Sequence, residues 1–248
     1  MSDPRLSVQL YTVREALAAD LPGTLSRIAE LGFRNVELFG FVESADRYSD
    51  ILPALGLSAP SAHARLIGED VAPIFAAARK IGVQTVIDPN IDRSLWSTRD
   101  DIAASAASLN AIGAIATDHG LAVGYHNHWW ETESRIEGTT GLEVFAELLE
   151  PTIVLEVDTY WAEVGGVDAA ALLERLGDRV RFIHVKDGAV SQDPQEQTAV
   201  GSGRIGVTEI LAAAPGALRV VELDGFVGDT FEALRDSFAF LTANGVRA

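Results

Sequence analysis

Short runs of apolar and β-branched residues alternate along this chain with longer stretches in which apolar positions recur every three or four residues. These are the signatures of buried strands and amphipathic helices. Eight strand candidates are present: Leu6–Tyr11, Asn35–Phe39, Leu57–His63, Val83–Pro89, Leu121–Asn127, Ile153–Asp158, Arg181–Lys186 and Leu218–Leu223. Most are nearly continuous apolar runs, as expected of parallel strands covered on both faces. Helical periodicity is clearest over Val71–Lys80, Asp101–His119, Gly141–Glu150 and Asp229–Asn244. Gly32 and Gly82 follow helical stretches immediately before a strand, where a left-handed residue ends a helix. Asp168 reads as the N-cap of Ala169–Leu176, and Thr208 as the start of a short helix through Ala213. Ser191–Gly206 is polar and glycine-bearing enough to be a long loop.

Eight strand–helix units in one chain of 248 residues match the size and order of an α/β fold of the (β/α)8 barrel type. The alternative, an open doubly wound sheet, usually has fewer strands and often a glycine-rich phosphate turn after the first. No such turn follows Tyr11. No linker or low-complexity stretch divides the chain, so residues 1–248 read as a single domain. Apolar residues make up 48% and charged residues 22%, which suits a globular chain with one large core. Nineteen basic against thirty-six acidic residues give a net charge of -17, a field that repels a phosphate backbone and argues against nucleic acid as a partner. No run is apolar enough to span a membrane. Cysteine is absent, so a metal would have to be held by His, Asp and Glu. Met1-Ser-Asp-Pro-Arg5 leads into the first strand without a signal-peptide pattern, which sets a cytoplasmic expectation.

Polar side chains recur at the C-terminal ends of these strands, where barrel active sites are built: Glu37, His63, Asp88, His126, Asp158, His184 and Glu222. Unpaired buried charges are costly, so such a cluster requires mutual hydrogen bonds or a cation. His126, Asp158, His184 and Glu222 fall on consecutive strands five to eight, and barrel closure aims all four at one point. Two imidazoles and two carboxylates suit one divalent ion such as Mn2+, Co2+, Zn2+ or Mg2+. The competing reading is a simple strand-end hydrogen bond between His184 and Asp158.

Several segments in order along the chain resemble the sugar phosphate isomerase/epimerase families of the xylose isomerase-like TIM-barrel superfamily. They are Ser7-Val-Gln-Leu-Tyr-Thr-Val-Arg14, Gly32-Phe-Arg-Asn-Val-Glu-Leu38, Gly124-Tyr-His-Asn-His128, Leu155-Glu-Val-Asp-Thr-Tyr-Trp161 with Gly165-Gly166, Phe182-Ile-His-Val-Lys-Asp187 and Val220-Val-Glu-Leu-Asp224. The resemblance implies metal ligands on strands five to eight, carried onto His126, Asp158, His184 and Glu222. It also implies chemistry on a ketose, polyol ketone or sugar phosphate through a metal-stabilised enediolate, with Glu222 as base. Many epimerases of the superfamily have a glutamate where this chain has His126. Either His126 or His128, or Glu131 just beyond, therefore serves as ligand or second acid/base. Alternation puts both histidines on one side of an extended strand, which favours His126 as ligand and His128 as a substrate group.

Other positions carry divided expectations. His63 matches a substrate-contacting position of relatives or is a satisfied structural histidine. Glu37 binds sugar hydroxyls or braces Arg14 or Arg34. Lys186 shares the face of His184 and binds an enediolate or acidic substituent, or else pairs with Asp187 or Glu222. Trp129, Trp130 and Trp161 are placed to roof a carbohydrate site, with Trp161 where some ketose epimerases carry a substrate-binding histidine. Arg204, in a glycine-rich turn, is a candidate phosphate contact or a solvated loop residue, and His119 suits a helix C-terminus. The competing functions are an inosose dehydratase-like lyase and a non-catalytic sugar-binding barrel. The charge disfavours the apurinic endonucleases of the same superfamily. Relatives often pair into homo-oligomers through helical faces.

Overall fold

The computed structural model describes residues 5–248. Met1–Pro4, on which the signal-peptide reading partly rests, lie outside the described residues. Eight parallel strands close into a barrel: β1 (Leu6–Gln9), β2 (Asn35–Phe39), β3 (Ser58–His63), β4 (Thr85–Asp88), β5 (Ala122–His126), β6 (Val154–Asp158), β7 (Val180–Val185) and β8 (Leu218–Val221). Each neighbours the next in sequence, and β1 pairs with β8 through Leu6–Arg219, Ser7–Val220 and Val8–Val221. All eight expected strands are present, mostly trimmed by a residue or two. The first stops at Gln9 because Leu10–Val13 tightens into a 3-10 turn, with the Gln9 side chain accepting from the Tyr11 N–H.

One longer helix follows each strand: Leu21–Glu30, Ala45–Ala54, Val71–Ile81, Arg99–Asp118, Gly141–Leu148, Ala169–Leu176, Val207–Ala213 and Thr230–Ala243. The sequence punctuation works as chemistry. Gly82 ends its helix at φ +92°, Asp168 accepts from the Ala171 N–H, and Asp229 accepts from the Phe231 N–H. The helix expected to open at Thr208 begins at Val207 instead, with Gly206 at its N-cap. Among the described residues no helix is long and apolar enough to cross a membrane.

Strand alternation divides the buried residues in two. One set, including Leu6, Val8, Val36, Leu38, Val123, Leu155, Val157 and Ile183, packs under the helices. The other, Ile87, Val154, Phe182, Leu218 and Val220, forms a separate small cluster that fills the lower barrel interior. The next inward positions on those strands are no longer apolar. Val154 is followed inward by Glu156 and Asp158, Phe182 by His184 and Lys186, and Val220 by Glu222 and Asp224. The interior thus changes from hydrocarbon to charge toward the C-terminal mouth.

Candidate metal centre

The charged layer sits at the floor of a cavity of about 460 Å3 at the C-terminal mouth. Three short helices from the loops accompany it: Arg14–Ala19, Trp129–Glu133 and Thr159–Val164. Asp158, His184 and Glu222 each offer a ligand atom within 4.8 Å of the others. His184 Nδ1 lies 2.8 Å from Glu222 Oε2 and 4.0 Å from Asp158 Oδ2. His126 Nε2 lies 3.9 Å from the same Asp158 oxygen. Asp158, His184 and Glu222 therefore converge, while His126 reaches Asp158 from beside them and otherwise groups with His63, Glu156 and His184. Their separations fit ligands about 2.1 Å from a common ion, which stand about 3–4 Å apart.

The opposite nitrogens of the two histidines both meet buried carboxylates. His184 Nε2 lies 2.7 Å from Glu37 Oε1 and 3.1 Å from Glu156 Oε2. His126 Nδ1 lies 3.1 Å from Glu156 Oε2. A carboxylate behind an imidazole fixes its tautomer and turns the other nitrogen toward a metal. Glu37 is held in turn by the Gln9 amide and the Ser61 hydroxyl. His63 Nε2 bridges the two carboxylates, 2.6 Å from Glu156 Oε2 and 3.2 Å from Glu37 Oε1. Glu156 was not anticipated, although it lies two residues before Asp158 on one strand face. His63, His126, Glu156 and His184 form a second group within 4.8 Å. His126 and His184 already direct their other nitrogens at Asp158 and Glu222, so this second group serves best as the support behind the first.

Burial opposes the charge of His63, but Glu37 and Glu156 outweigh it and push its pKa up to about 10. Burial likewise opposes charge on His184, yet Glu156 and Glu222 hold it well above the ordinary histidine value. His126 goes the other way: burial, and then the charge of His184, press it well below. Glu156 resists the cost of burial and the repulsion of Glu37 through His184 and His63, falling to about 2. Lys186, also buried, is kept protonated by Asp158, Asp224 and Glu222 against the cost of burial.

Five carboxylates, Glu37, Glu156, Asp158, Glu222 and Asp224, thus face one ammonium and three imidazoles. Lys186 and the protonated His63 leave negative charge uncompensated, because an imidazole that ligates an ion through one nitrogen is itself neutral. Glu156 Oε1 and Asp158 Oδ2 are buried without a well-formed hydrogen bond, although Lys186 Nζ approaches the latter to 2.8 Å. Burial, its largest influence, raises the pKa of Asp158. Excess negative charge and an orphaned carboxylate oxygen at a convergence of O and N donors fit a divalent cation.

Other expected site residues sit elsewhere. Lys186 does not line the cavity. It bonds Asp158, Glu222 and Asp224 at 2.6–2.8 Å and does not pair with Asp187. Glu131 is corrected from acid/base to support: its oxygens accept from the Tyr125 hydroxyl and the His128 N–H, 2.6 and 2.8 Å away. This happens because the chain turns into a helix at Trp129, with His128 as N-cap. His128 lines the cavity and stacks on Trp130 at 4.3 Å. Trp161 is buried behind Lys186, 5.7 Å from its Nζ, and is absent from the cavity lining. Glu37 braces neither Arg14 nor Arg34. Asp88 turns out of the barrel to accept from Leu66, Ile67 and Asn90 N–H groups. Arg204 is exposed, and most N–H groups of its turn are already used. Asp187 accepts from Gly201, Gly203 and Ile205, and Arg204 donates to Gly188 O.

The family model for the xylose isomerase-like TIM barrel matches residues 25–215. The chain belongs to this family. Over 145 residues it is 26% identical to an inosose dehydratase of Lacticaseibacillus casei, a match covering 58% of the chain and 48% of that protein. The chain thus spans about half the length of that relative. A sugar phosphate isomerase/epimerase from Parabacteroides distasonis ATCC 8503 has the same fold, with a TM-score of 0.81, 24% identity and coverage of 100% of this chain and 96% of the other. An IOLI protein with a bound zinc atom superposes with a TM-score of 0.73 at 14% identity, covering 97% of each chain.

Proposed function

We propose that this protein is a divalent-metal-dependent isomerase or epimerase acting on a small polyhydroxy ketone. The observation that carries this reading is the convergence of Asp158, His184 and Glu222 below the cavity, with His126 3.9 Å from Asp158 and a carboxylate behind each imidazole. Those four residues would hold the ion, and the zinc in the structurally similar IOLI protein supports a metal in this fold. A bound divalent ion supplies Lewis acidity to a carbonyl and its neighbouring hydroxyl, lowering the energy of the enediolate. Glu222 is the base. Its Oε2 is occupied by His184 and Lys186, while Oε1 has no hydrogen-bond partner among the described residues, and the side chain lines the cavity. His128, which lines the cavity across from β8, is placed to return the proton on another face or at the adjacent carbon. Lys186 holds Asp158 and Glu222 ionised and in position.

Likeness to an inosose dehydratase supports a second reading, in which the same proton removal is followed by loss of a β-hydroxyl. The test is a panel of ketoses and inososes in deuterated solvent with Mn2+, scored for isotope uptake and water loss. Uptake without dehydration is the expected result, and Glu222→Gln reduces it at least a thousandfold with the fold retained. Unchanged uptake in the variant would reject Glu222 as base. A protein that binds no metal and exchanges no proton would instead be a sugar-binding barrel.

A further inference from the structure

The cavity has two unlike walls. Strands β5 and β8 present His126, His128, Glu222 and Asp224, whereas β1, β2 and the loops after them present Tyr11, Phe39, Phe41 and Val42. In the strand order of the closed barrel, β1 stands opposite β5, so the apolar wall faces the histidines across the mouth. Phe39 is the inward residue that ends β2, in register with His63. Tyr11 packs edge-on to it at 5.3 Å, is held by the Arg14 guanidinium 4.3 Å from its ring, and leaves 39% of its surface exposed.

Little here suits an anionic substituent. Of the cations lining the cavity, Arg65 is exposed and His63 is already held between Glu37 and Glu156. Two carboxylates, Glu222 and Asp224, line the same space, Lys186 is sequestered by these two and Asp158, and the N–H groups of Gly201, Gly203, Arg204 and Ile205 in the glycine-rich turn are already used.

We infer that the substrate is an uncharged polyhydroxy ketone bearing an apolar alkyl or aryl substituent, its reacting end toward Glu222 and His126 and its substituent against Tyr11, Phe39 and Val42. This deepens the proposed function and rests on it for the reacting end. Aromatic walls bind sugar C–H faces as well, so the discriminating quantity is the gain from the substituent. The probes are D-fructose, D-psicose, D-sorbose and D-tagatose, each as the free sugar, its 6-O-benzyl ether and its 6-phosphate, titrated by calorimetry into the full chain with and without Mn2+. For at least one ketohexose the benzyl ether binds tenfold or more tightly than the free sugar, and the phosphate binds more weakly than the free sugar. Phe39→Ala reduces the benzyl preference to less than threefold, and Tyr11→Ser, at a more exposed position, gives the same direction if Phe39→Ala does not fold. A phosphate that binds tightest, a benzyl preference below threefold throughout, binding of no probe, or a preference that survives both substitutions overturns the inference. Metal binding and isotope uptake are read separately. A protein that passes those and shows no benzyl preference loses only this inference, whereas one that shows the preference without metal or exchange loses only the reaction.

Discussion

Glu156→Gln tests the support behind the metal centre with little change of shape. The substitution removes the charge that lies 3.1 Å from His126 Nδ1 and 2.6 Å from His63 Nε2, and an amide can present its N–H to an imidazole that itself needs an acceptor. Losing such an outer carboxylate typically weakens a metal site by about 10–100-fold, which corresponds to about 1.4–2.7 kcal/mol. Stability should suffer less than the roughly 3–5 kcal/mol of a fully broken buried pair. His63 keeps Glu37 at 3.2 Å, His184 keeps Glu37 at 2.7 Å and Glu222 at 2.8 Å, and the repulsion between Glu37 and Glu156 disappears. The assay is competition with a chelating dye for Mn2+ and Zn2+ at fixed pH, paired with urea unfolding of the metal-free protein. An affinity within threefold of the parent would refute the orienting role. A loss beyond about a thousandfold would make Glu156 a ligand and move the ion to the group that includes His63.

The remaining predictions concern stability and the frame of the site. Because the folded pKa of His63 is raised, to about 10, its contribution is complete below the unfolded value of about 6.5 and is lost as pH rises through 10. Urea unfolding between pH 7 and 10 should show the parent losing roughly 4 kcal/mol more than His63→Gln, at about 1.36 kcal/mol per unit, and parallel curves would reject the pairing. Asp187→Ala orphans the N–H groups of Gly188, Gly201, Gly203 and Ile205. It should cost about 2–4 kcal/mol and speed amide exchange across 201–205, whereas a cost under about 0.5 kcal/mol would contradict that assignment. A Cβ at Gly165 would overlap Thr132 Oγ1 and the Trp129 carbonyl oxygen. Gly165→Ala should therefore destabilise by about 1–3 kcal/mol and disturb the helix that carries His128, as read by calorimetry and the histidine ring NMR signals; an unchanged melting temperature would show that this contact yields freely.

The barrel was legible because its strands are apolar on both faces and its helices are punctuated by residues with one physical use each, such as Asp168 and Gly82. The convergence at the ends of β6 to β8, with His126 of β5 beside it, was legible because the inward positions of these strands turn from apolar to polar toward their C-terminal ends. Glu156 escaped notice although its signal was present, since the alternation that grouped His126 with His128 and His184 with Lys186 also groups Glu156 with Asp158. Glu131 and Trp161 were misplaced for a local reason. Helices begin at Trp129 and Thr159, so residues that would have continued along the strand direction turn out of the cavity instead. The use of the 201–205 amides by Asp187 depends on a loop meeting a strand end, and no periodicity encodes that contact.

The central claim is one shared cation point at the barrel mouth, and anomalous diffraction from crystals grown with Mn2+ tests it most directly. One peak is expected per chain, bonded to Asp158, His184 Nδ1, Glu222 and His126 Nε2. A peak enclosed instead by His63, Glu156 and the opposite nitrogens of His126 and His184, or no peak with Lys186 still seated against Asp158 and Glu222, would contradict it.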